Sequence, residues 1–240
     1  MTHIPLTTLG RHAARATVFI VLMTAAYLVL WYPALPWLLP VHFKAGGVPN
    51  GWQYKTLARV LMPAFIQVSL AGTFGAIAAL LLSRPQAATS SAAATADDLS
   101  DIRAASAAAE TVLLMSLIWV AFQAYAAYAV VRMWTTEVGH LGVMYNVFEW
   151  TGLILTGVVA VRGHARVGRP PARPFVAEHW RFGQLYKNAS DPALFVPTRD
   201  GSRWTLNFGR PVAAALLGVI LAVGVVGPTI ILILTLRYNF

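Results

Sequence analysis

The sequence lacks cysteine and is poor in charged residues, above all in acids. With no Cys among 240 residues, disulfide bonds, zinc held by thiolates and thiol catalysis are excluded. Charged residues make up 11% of the chain, against about 25% in an average soluble domain. Only nine Asp and Glu oppose 18 Lys and Arg, for a net charge of +9. In a chain that is 58% hydrophobic, such an excess indicates membrane topology and anionic lipid, and we expect no nucleic-acid partner.

The short motifs of common catalytic and nucleotide sites are also missing. There is no HExxH, GxxxxGK[ST] or GxGxxG, and the six histidines include no closely spaced pair. His42 and His140, with Glu137 nearby, are the nearest approach to a metal site, but lone loop histidines are usually solvated or hydrogen-bonded. We therefore predict a protein that is not an enzyme and has no cofactor and no metal.

The chain does contain five long apolar runs, at residues 16–37, 60–83, 111–131, 141–161 and 212–236. About 20 apolar residues suffice to cross roughly 30 Å of hydrocarbon. The predicted fold class is an all-α integral membrane protein with five transmembrane helices, a small extracytoplasmic loop cap and a cytoplasmic basic segment containing a short β-hairpin. The predicted divisions are a first helix pair (1–83) with its loop (33–59), a flexible linker (84–96), the third and fourth helices (97–162), the basic segment (163–210) and the fifth helix (211–240).

The loop between the first two runs, residues 32–59, combines four prolines, Gly46-Gly47 and a Pro-Asn-Gly turn. Proline fixes φ and glycine accepts positive φ, so we predict a structured loop and not a helix. His42 and Lys55 are predicted to tie the loop together as hydrogen-bond donors. Together with Trp52, they are also the candidate ligand-binding residues.

The third run extends further than its apolar part. Acids at Asp97, Asp98 and Asp101 suit a helix N-terminus, so one long helix from about Asp97 to Arg132 is expected. Its aromatic residues recur every third position and are interpreted as packing rather than as a cofactor site: Trp119, Phe122, Tyr125 and Tyr128.

Glu149 lies near the middle of the fourth run, where an ionised carboxylate costs at least about 2.5–3.5 kcal/mol. It should therefore be paired, protonated or hydrated. The candidate hydrogen-bond partners are Tyr145, Asn146, Gln67 and Gln123. Three interpretations stay open: a proton or cation site, a neutral acid that fixes helix packing, or an interfacial residue if the span begins nearer Tyr145.

The basic segment carries the strongest topological signal. Nine Lys/Arg against three acids at residues 162–210 predict a module on an anionic leaflet, and Asp200-Gly201 between two apolar triplets predicts a β-hairpin. Thirteen Lys/Arg fall on the N-terminal side of five spans and five on the other. By the positive-inside rule the N-terminus is cytoplasmic and the C-terminus extracytoplasmic.

Two stretches resemble known bacterial sequences. Leu35-Pro36, Pro40-Val41-His42-Phe43, Gly46-Gly47, Asn50-Gly51-Trp52 and Lys55 resemble the loop of a bacterial membrane family of unknown function that includes the SdpI-type toxin-immunity proteins. A second, uncharacterised bacterial module is resembled by Trp180, Gly183, Tyr186, Asn188, Asp191-Pro192, Phe195-Val196-Pro197, Gly201 and residues 204–209. The resemblance implies a multi-pass protein of the bacterial inner membrane that acts in immunity, sensing or envelope stress.

Three functions remain open from the sequence. The first is a non-enzymatic sensor or immunity-type protein with the loop as its binding surface, and this is the reading we favour. The second is a transporter or channel subunit that uses Glu149. The third is a structural accessory subunit of a larger membrane complex, which would add a membrane-protein partner to the lipid bilayer and its anionic lipids.

Overall fold

The computed structural model describes residues 2–3, 5–44, 47–84, 96–136, 140–170, 173–222 and 229. These residues are mostly helical, and four stretches among them are long and apolar enough to cross a membrane: Thr8–Ala34, Met62–Leu82, Leu99–Thr135 and Val143–Val167. The multi-pass membrane character predicted from the sequence is therefore confirmed. The fifth predicted span begins as a helix at Pro211, and most of its second half lies outside the described residues.

The elements follow the alternation of apolar runs and turn-rich intervals. In chain order they are β1 (Thr2–His3), α1 (Thr8–Trp31), β2 (Leu38–Phe43), β3 (Pro49–Tyr54), α2 (Leu57–Val60), α3 (Met62–Leu82), β4 (Ser83–Arg84), α4 (Ala96–Thr135), α5 (Val143–Val167), β5 (Trp180–Arg181), β6 (Leu185–Tyr186), β7 (Phe195–Pro197), β8 (Trp204–Leu206) and α6 (Pro211–Leu221). The strands form four separate antiparallel pairs: β1–β4, β2–β3, β5–β6 and β7–β8.

The chain divides into two compact units. The helix unit comprises Thr8–Gly75 and Thr111–Arg162, and the terminal unit comprises Met1–Thr7, Ala76–Glu110 and Gly163–Phe240. The core of the helix unit is built from α1, β2, α2 and α4, whose central side chains are fully or almost fully buried: Leu28, Leu39, Val60, Ala127 and Val131. The divisions predicted from the sequence follow chain order, whereas these units join distant segments.

Helix α4 is 40 residues long, as the acids at its N-terminus led us to expect. At 1.5 Å per residue it measures about 60 Å, twice the hydrocarbon thickness of a bilayer. Its aromatic residues pack on α5: the ring of Tyr125 stacks on Phe148 at 4.1 Å, and Phe122 lies 5.4 Å from Tyr145. The packing interpretation of the aromatic stripe is confirmed for Phe122 and Tyr125, whereas Tyr128 is 47% exposed.

The hairpin predicted around Asp200-Gly201 is present as β7–β8. Its loop is six residues long, since the strands end at Pro197 and resume at Trp204, and Gly201 adopts a positive φ of 68°. Of the predicted linker, residues 85–95 lie outside the described part of the chain. Helix α4 begins directly after them, at Ala96.

Candidate functional site

The predicted loop of the helix unit is a β-hairpin, β2–β3, fixed on one side to the core. Leu39 is fully buried there, and the indole Nε1 of Trp134 in α4 donates a hydrogen bond to the Pro40 carbonyl at 2.9 Å. At the turn, the Leu141 N–H donates to the Gly47 carbonyl at 3.2 Å. Gly47 has a φ of 75°, and a Cβ there would lie 3.1 Å from the Cβ of Leu141, so glycine suits this position on both counts.

The opposite side of the hairpin is exposed and aromatic. Leu38 pairs with Tyr54 and Pro40 with Trp52, so these side chains share one face of the two-stranded sheet. The Trp37 ring lies 6.1 Å from the Tyr54 ring. Trp37, Trp52 and Tyr54 are 69%, 55% and 64% exposed, and Leu38 is 50% exposed. We call Trp37, Leu38, Trp52 and Tyr54 the aromatic face.

His42 ties the two strands near the turn, as predicted. Its ring Nδ1 lies 2.5 Å from the Oδ1 of Asn50, and because an amide oxygen only accepts, Nδ1 carries the proton. Gly51 is required opposite it, since a Cβ at that position would approach the His42 Cβ to 2.9 Å. The His42 ring is exposed, with its orientation fixed by Asn50.

Lys55 is the second predicted tie, and its role as a donor is also confirmed. Its ammonium group donates to the carbonyls of Leu35 at 2.7 Å and Tyr32 at 3.2 Å, and it lies 5.0 Å from the centre of the Tyr32 ring. The Lys55 N–H donates to the Trp37 carbonyl at 2.7 Å. The lysine thus closes the base of the hairpin, and its charge is directed at the protein's own backbone.

Gln67 joins three helices in the interior of the helix unit. The side chain is fully buried, and its Nε2 donates to the Thr24 hydroxyl of α1 at 3.1 Å and to the Val120 carbonyl of α4 at 2.9 Å. This polar residue of α3 therefore links α1, α3 and α4 through two hydrogen bonds donated by its amide nitrogen.

Glu149 lies on α5 and is half-buried, next to the exposed Asn146 one turn earlier. In the part of the chain that the structure describes, no hydrogen bond joins Glu149 to Tyr145, Asn146, Gln67 or Gln123. Of the most apolar stretch of α5, 6% is buried, compared with 44% in α4. Helix α5 is thus the least buried of the four candidate spans. A functional role for Glu149 stays a prediction. Glu137, named with His140 as an approach to a metal site, lies outside the described residues, within which no three His, Cys, Asp or Glu cluster.

Two other carboxylates, in the terminal unit, are far more buried than Glu149, and the sequence did not single out either as a functional residue. Glu110 of α4 is 2% exposed; Arg166 of α5 donates to its Oε1, and the Thr7 hydroxyl donates to its Oε2 at 2.6 Å. Asp101 is 3% exposed and accepts from the Phe195 N–H at 3.0 Å. Glu110 therefore links α4 to Thr7, which directly precedes α1, and to Arg166 near the end of α5. Asp101 links α4 to strand β7.

The basic segment is organised around Asn207, which is fully buried. Its Oδ1 accepts from the N–H groups of Asn188 at 3.0 Å and Gly209 at 2.9 Å. Its Nδ2 donates to the carbonyls of Asn188, Asp191 and Ala193 at 2.8, 3.1 and 3.2 Å. A Cβ on Gly209 would collide with the Asn188 carbonyl, so the two chain segments touch backbone to backbone.

Asp191 holds a smaller polar cluster beside this clamp. Its Oδ2 accepts from the Tyr186 hydroxyl at 3.1 Å and from the Arg173 guanidinium at 3.3 Å. Burial raises the pKa of the Tyr186 phenol above its ordinary value, and the Asp191 carboxylate adds to the rise. Asp191 therefore forms a structural ion pair with Arg173, and the same carboxylate oxygen also accepts from Tyr186.

Comparison with known proteins finds a family match for one part of the chain. Residues 19–66 match a family described as a domain of unknown function (DUF1648). The matched range runs from α1 through β2–β3 into α3, so it contains the aromatic face, His42 and Lys55. No curated protein and no solved structure matches the chain.

Proposed function

We propose that this chain is a non-enzymatic integral protein of the bacterial inner membrane, of the sensor or immunity type, whose aromatic face binds an extracytoplasmic ligand or partner. The observation that carries the proposal is the aromatic face itself. Three large rings and a leucine stand exposed on a hairpin whose other side is fixed by Trp134, Lys55 and buried Leu39. Rigid exposed Trp and Tyr side chains are enriched where proteins bind partners, because they offer large contact area at low entropic cost.

The resemblance to the SdpI-type immunity family is consistent with this role, because the residues that carry it lie in the hairpin. The match to a domain of unknown function covers the same element. His42 contributes an exposed imidazole to the same hairpin, with its Nδ1 hydrogen-bonded to the Asn50 side chain.

The proposal requires the hairpin to face the outside, with the N-terminus cytoplasmic and five spans. The Lys/Arg asymmetry supports that orientation. Reporter fusions at Val48 in the hairpin and Ser202 in the basic segment test it directly. We expect the two reporters on opposite sides of the membrane, and placing them in one compartment would refute the orientation.

The binding role is tested by a photo-crosslinking amino acid at position 52 in living cells, with the same residue at Gln53 as the matched control. We expect a discrete protein or peptide adduct at position 52, reduced several-fold by His42→Ala at unchanged membrane level. Adducts to lipid alone, or equal yields at both positions, would instead make the aromatic face an interfacial anchor.

The basic segment is proposed to contact anionic lipids of the cytoplasmic leaflet. Its nine Lys/Arg, counted from Arg162, exceed its acids threefold, and each basic residue near such a surface contributes about 1 kcal/mol of attraction. This contact would hold the segment at the membrane between α5 and α6.

A second candidate function, an accessory subunit of a larger membrane complex, is favoured by the poor coverage of α5. A carboxylate on so little-covered a helix is costly in lipid unless another helix faces it. Purification in mild detergent with mass spectrometry decides between the two, because a chain that purifies alone contradicts the subunit. Transport through Glu149 would require pH-dependent flux in liposomes that Glu149→Gln removes.

A further inference from the structure

The turn between β5 and β6 presents a phenylalanine where the backbone favours a smaller residue. The Gln184 N–H donates to the Arg181 carbonyl at 3.1 Å, closing a turn whose two central residues, Phe182 and Gly183, have φ values of 51° and 72°. Positive φ at both positions favours Asn and Gly. Among the described residues, Phe182 is the one non-glycine residue with positive φ. Its ring is also 95% exposed, so neither the conformation nor the exposure stabilises the chain in water.

The surroundings of Phe182 are apolar and basic. Leu185 is 43% exposed and Phe175 is 51% exposed. The Arg199 guanidinium lies over the Phe175 ring at 4.9 Å, and its Nη1 is 3.6 Å from the position that a Cβ on Gly183 would occupy. Arg199 therefore links Phe175 to the turn.

We call Phe175, Arg181, Phe182, Leu185 and Arg199 the tip patch. Within the described part of the chain, neither of its arginines forms an ion pair with a carboxylate. The patch thus combines exposed apolar groups with positive charge that no acid of the segment neutralises.

The position of the patch in the chain indicates what covers it. Phe182 follows the last residue of α5, Val167, by 15 positions, and the segment ends where α6 begins at Pro211. The segment that carries the tip patch therefore leaves the end of a candidate membrane span, α5, and leads into a second apolar helix, α6. Aromatic rings suit the boundary of headgroups and acyl chains, and guanidinium groups complement lipid phosphates.

We propose that the tip patch inserts into the surface of a bilayer containing anionic lipid, with Phe182 entering the headgroup region and Arg181 and Arg199 contacting phosphates. The proposal deepens the lipid contact proposed for the basic segment by naming its anchor. It is independent of any binding by the aromatic face.

The absence of cysteine allows a direct test, since a single introduced Cys is the one labelled position. Phe182→Cys and the control Ala189→Cys, an exposed site of the same segment, are labelled with an environment-sensitive fluorophore. The proteins are reconstituted into phosphatidylcholine vesicles with and without phosphatidylglycerol. We expect blue-shifted emission at position 182 that strengthens with phosphatidylglycerol and is quenched by spin-labelled lipid, and water-like emission at 189.

Two outcomes would overturn the proposal. Water-like emission at 182 in both vesicles would exclude insertion, and a blue shift without quenching by spin-labelled lipid would assign the patch to a protein contact instead. In the labelled background, Arg199→Gln should remove at least half of the response to phosphatidylglycerol, and an unchanged response would likewise refute the phosphate contact.

A second variant keeps the turn folded. Phe182→Asn replaces the ring by a residue that favours positive φ, so the hairpin should form at least as well in detergent. In nanodiscs with phosphatidylglycerol, amide exchange at residues 180–186 should be at least threefold slower in the unmodified protein than in Phe182→Asn. Equal exchange in the two proteins would contradict insertion, and neither result depends on the crosslinking at position 52.

Discussion

Replacing Asn207 by alanine removes the side chain on which the fold of the basic segment depends. The substitution deletes the acceptor of two backbone N–H groups, those of Asn188 and Gly209, at 3.0 and 2.9 Å. A buried donor left without an acceptor costs about 1–3 kcal/mol, so the two together predict a loss of about 2–6 kcal/mol. Water entering the space left by the amide would place the value near the lower end.

The loss is measured by hydrogen–deuterium exchange of the protein in nanodiscs. Since each 1.4 kcal/mol is a factor of ten, a loss of 2 kcal/mol accelerates exchange of the Asn188 and Gly209 amides about 30-fold. The control is Gln184→Ala, which removes an exposed polar side chain of the same segment and should leave both amides unchanged.

The conservative variant Asn207→Asp sharpens the test. It keeps the oxygen acceptor but replaces the Nδ2 donor by a second oxygen facing three carbonyls. We expect it to be at least as damaging as alanine, because a buried charge then opposes like partial charges. Acceleration of less than about threefold in both variants, near 0.7 kcal/mol, would refute the assigned role of Asn207.

Three other predictions test separate contacts. Lys55→Met removes the donor to the Leu35 carbonyl and one of two donors to the Tyr32 carbonyl, and it should cost about 1–3 kcal/mol of unfolding free energy in detergent. The exposed Lys44→Met should change that free energy little, and equal effects of the two substitutions would contradict the role assigned to Lys55. Glu110→Gln should cost about 1–3 kcal/mol, below the full value for a buried pair because Arg166 is 42% exposed. Adding Arg166→Gln should restore part of that loss, and strictly additive losses would argue against the ion pair. Hydrogen bonds from Ser202 and Thr198 lower the pKa of Asp200 to about 2, so its stabilisation of the loop is present above pH 3.8 and lost as pH falls through about 2. Carboxyl NMR titration, with Asp200→Asn identifying the signal, checks this, and a midpoint near 4 would contradict it.

Several features of the fold could be predicted because each depends on local sequence. The apolar runs predict the helices by length alone, and the acids at Asp97, Asp98 and Asp101 mark the start of α4. The β7–β8 hairpin follows from apolar triplets on either side of Asp200-Gly201. The prediction that His42 and Lys55 tie the loop as donors agrees with their bonds to the Asn50 side chain and the Leu35 carbonyl.

The pairing of β2 with β3 escaped prediction because its register is irregular. Breaks in the pairing between Pro40 and His42, and again between His42 and Phe43, disrupt the alternation that identifies a strand. Once the strands are placed, the exposed rings of Trp37, Trp52 and Tyr54 fall together. Composition alone shows aromatic residues in this loop but not that they share a face.

The buried acids escaped for a different reason. Glu149 drew attention because it interrupts an apolar run, whereas Glu110 directly precedes one and reads as interfacial. Its burial depends on Thr7 and Arg166, which are 103 and 56 residues away along the chain. Asn207 is similar, since four of its five hydrogen bonds reach residues 14 to 19 positions away along the chain. Long-range convergence of this kind becomes visible only in three dimensions.

The packing of the β2–β3 hairpin on the core has a consequence for any molecule that binds to the hairpin. Leu39 of β2 packs in one buried cluster with residues of α1, α2 and α4, so the surface proposed to bind a ligand is ordered before binding. Little conformational entropy is then lost when a ligand binds. Differences in affinity among ligands should therefore come mainly from their dissociation rates. Replacing the buried Trp134, whose indole supports the hairpin from the core, should therefore weaken binding at the proposed surface by loosening the hairpin.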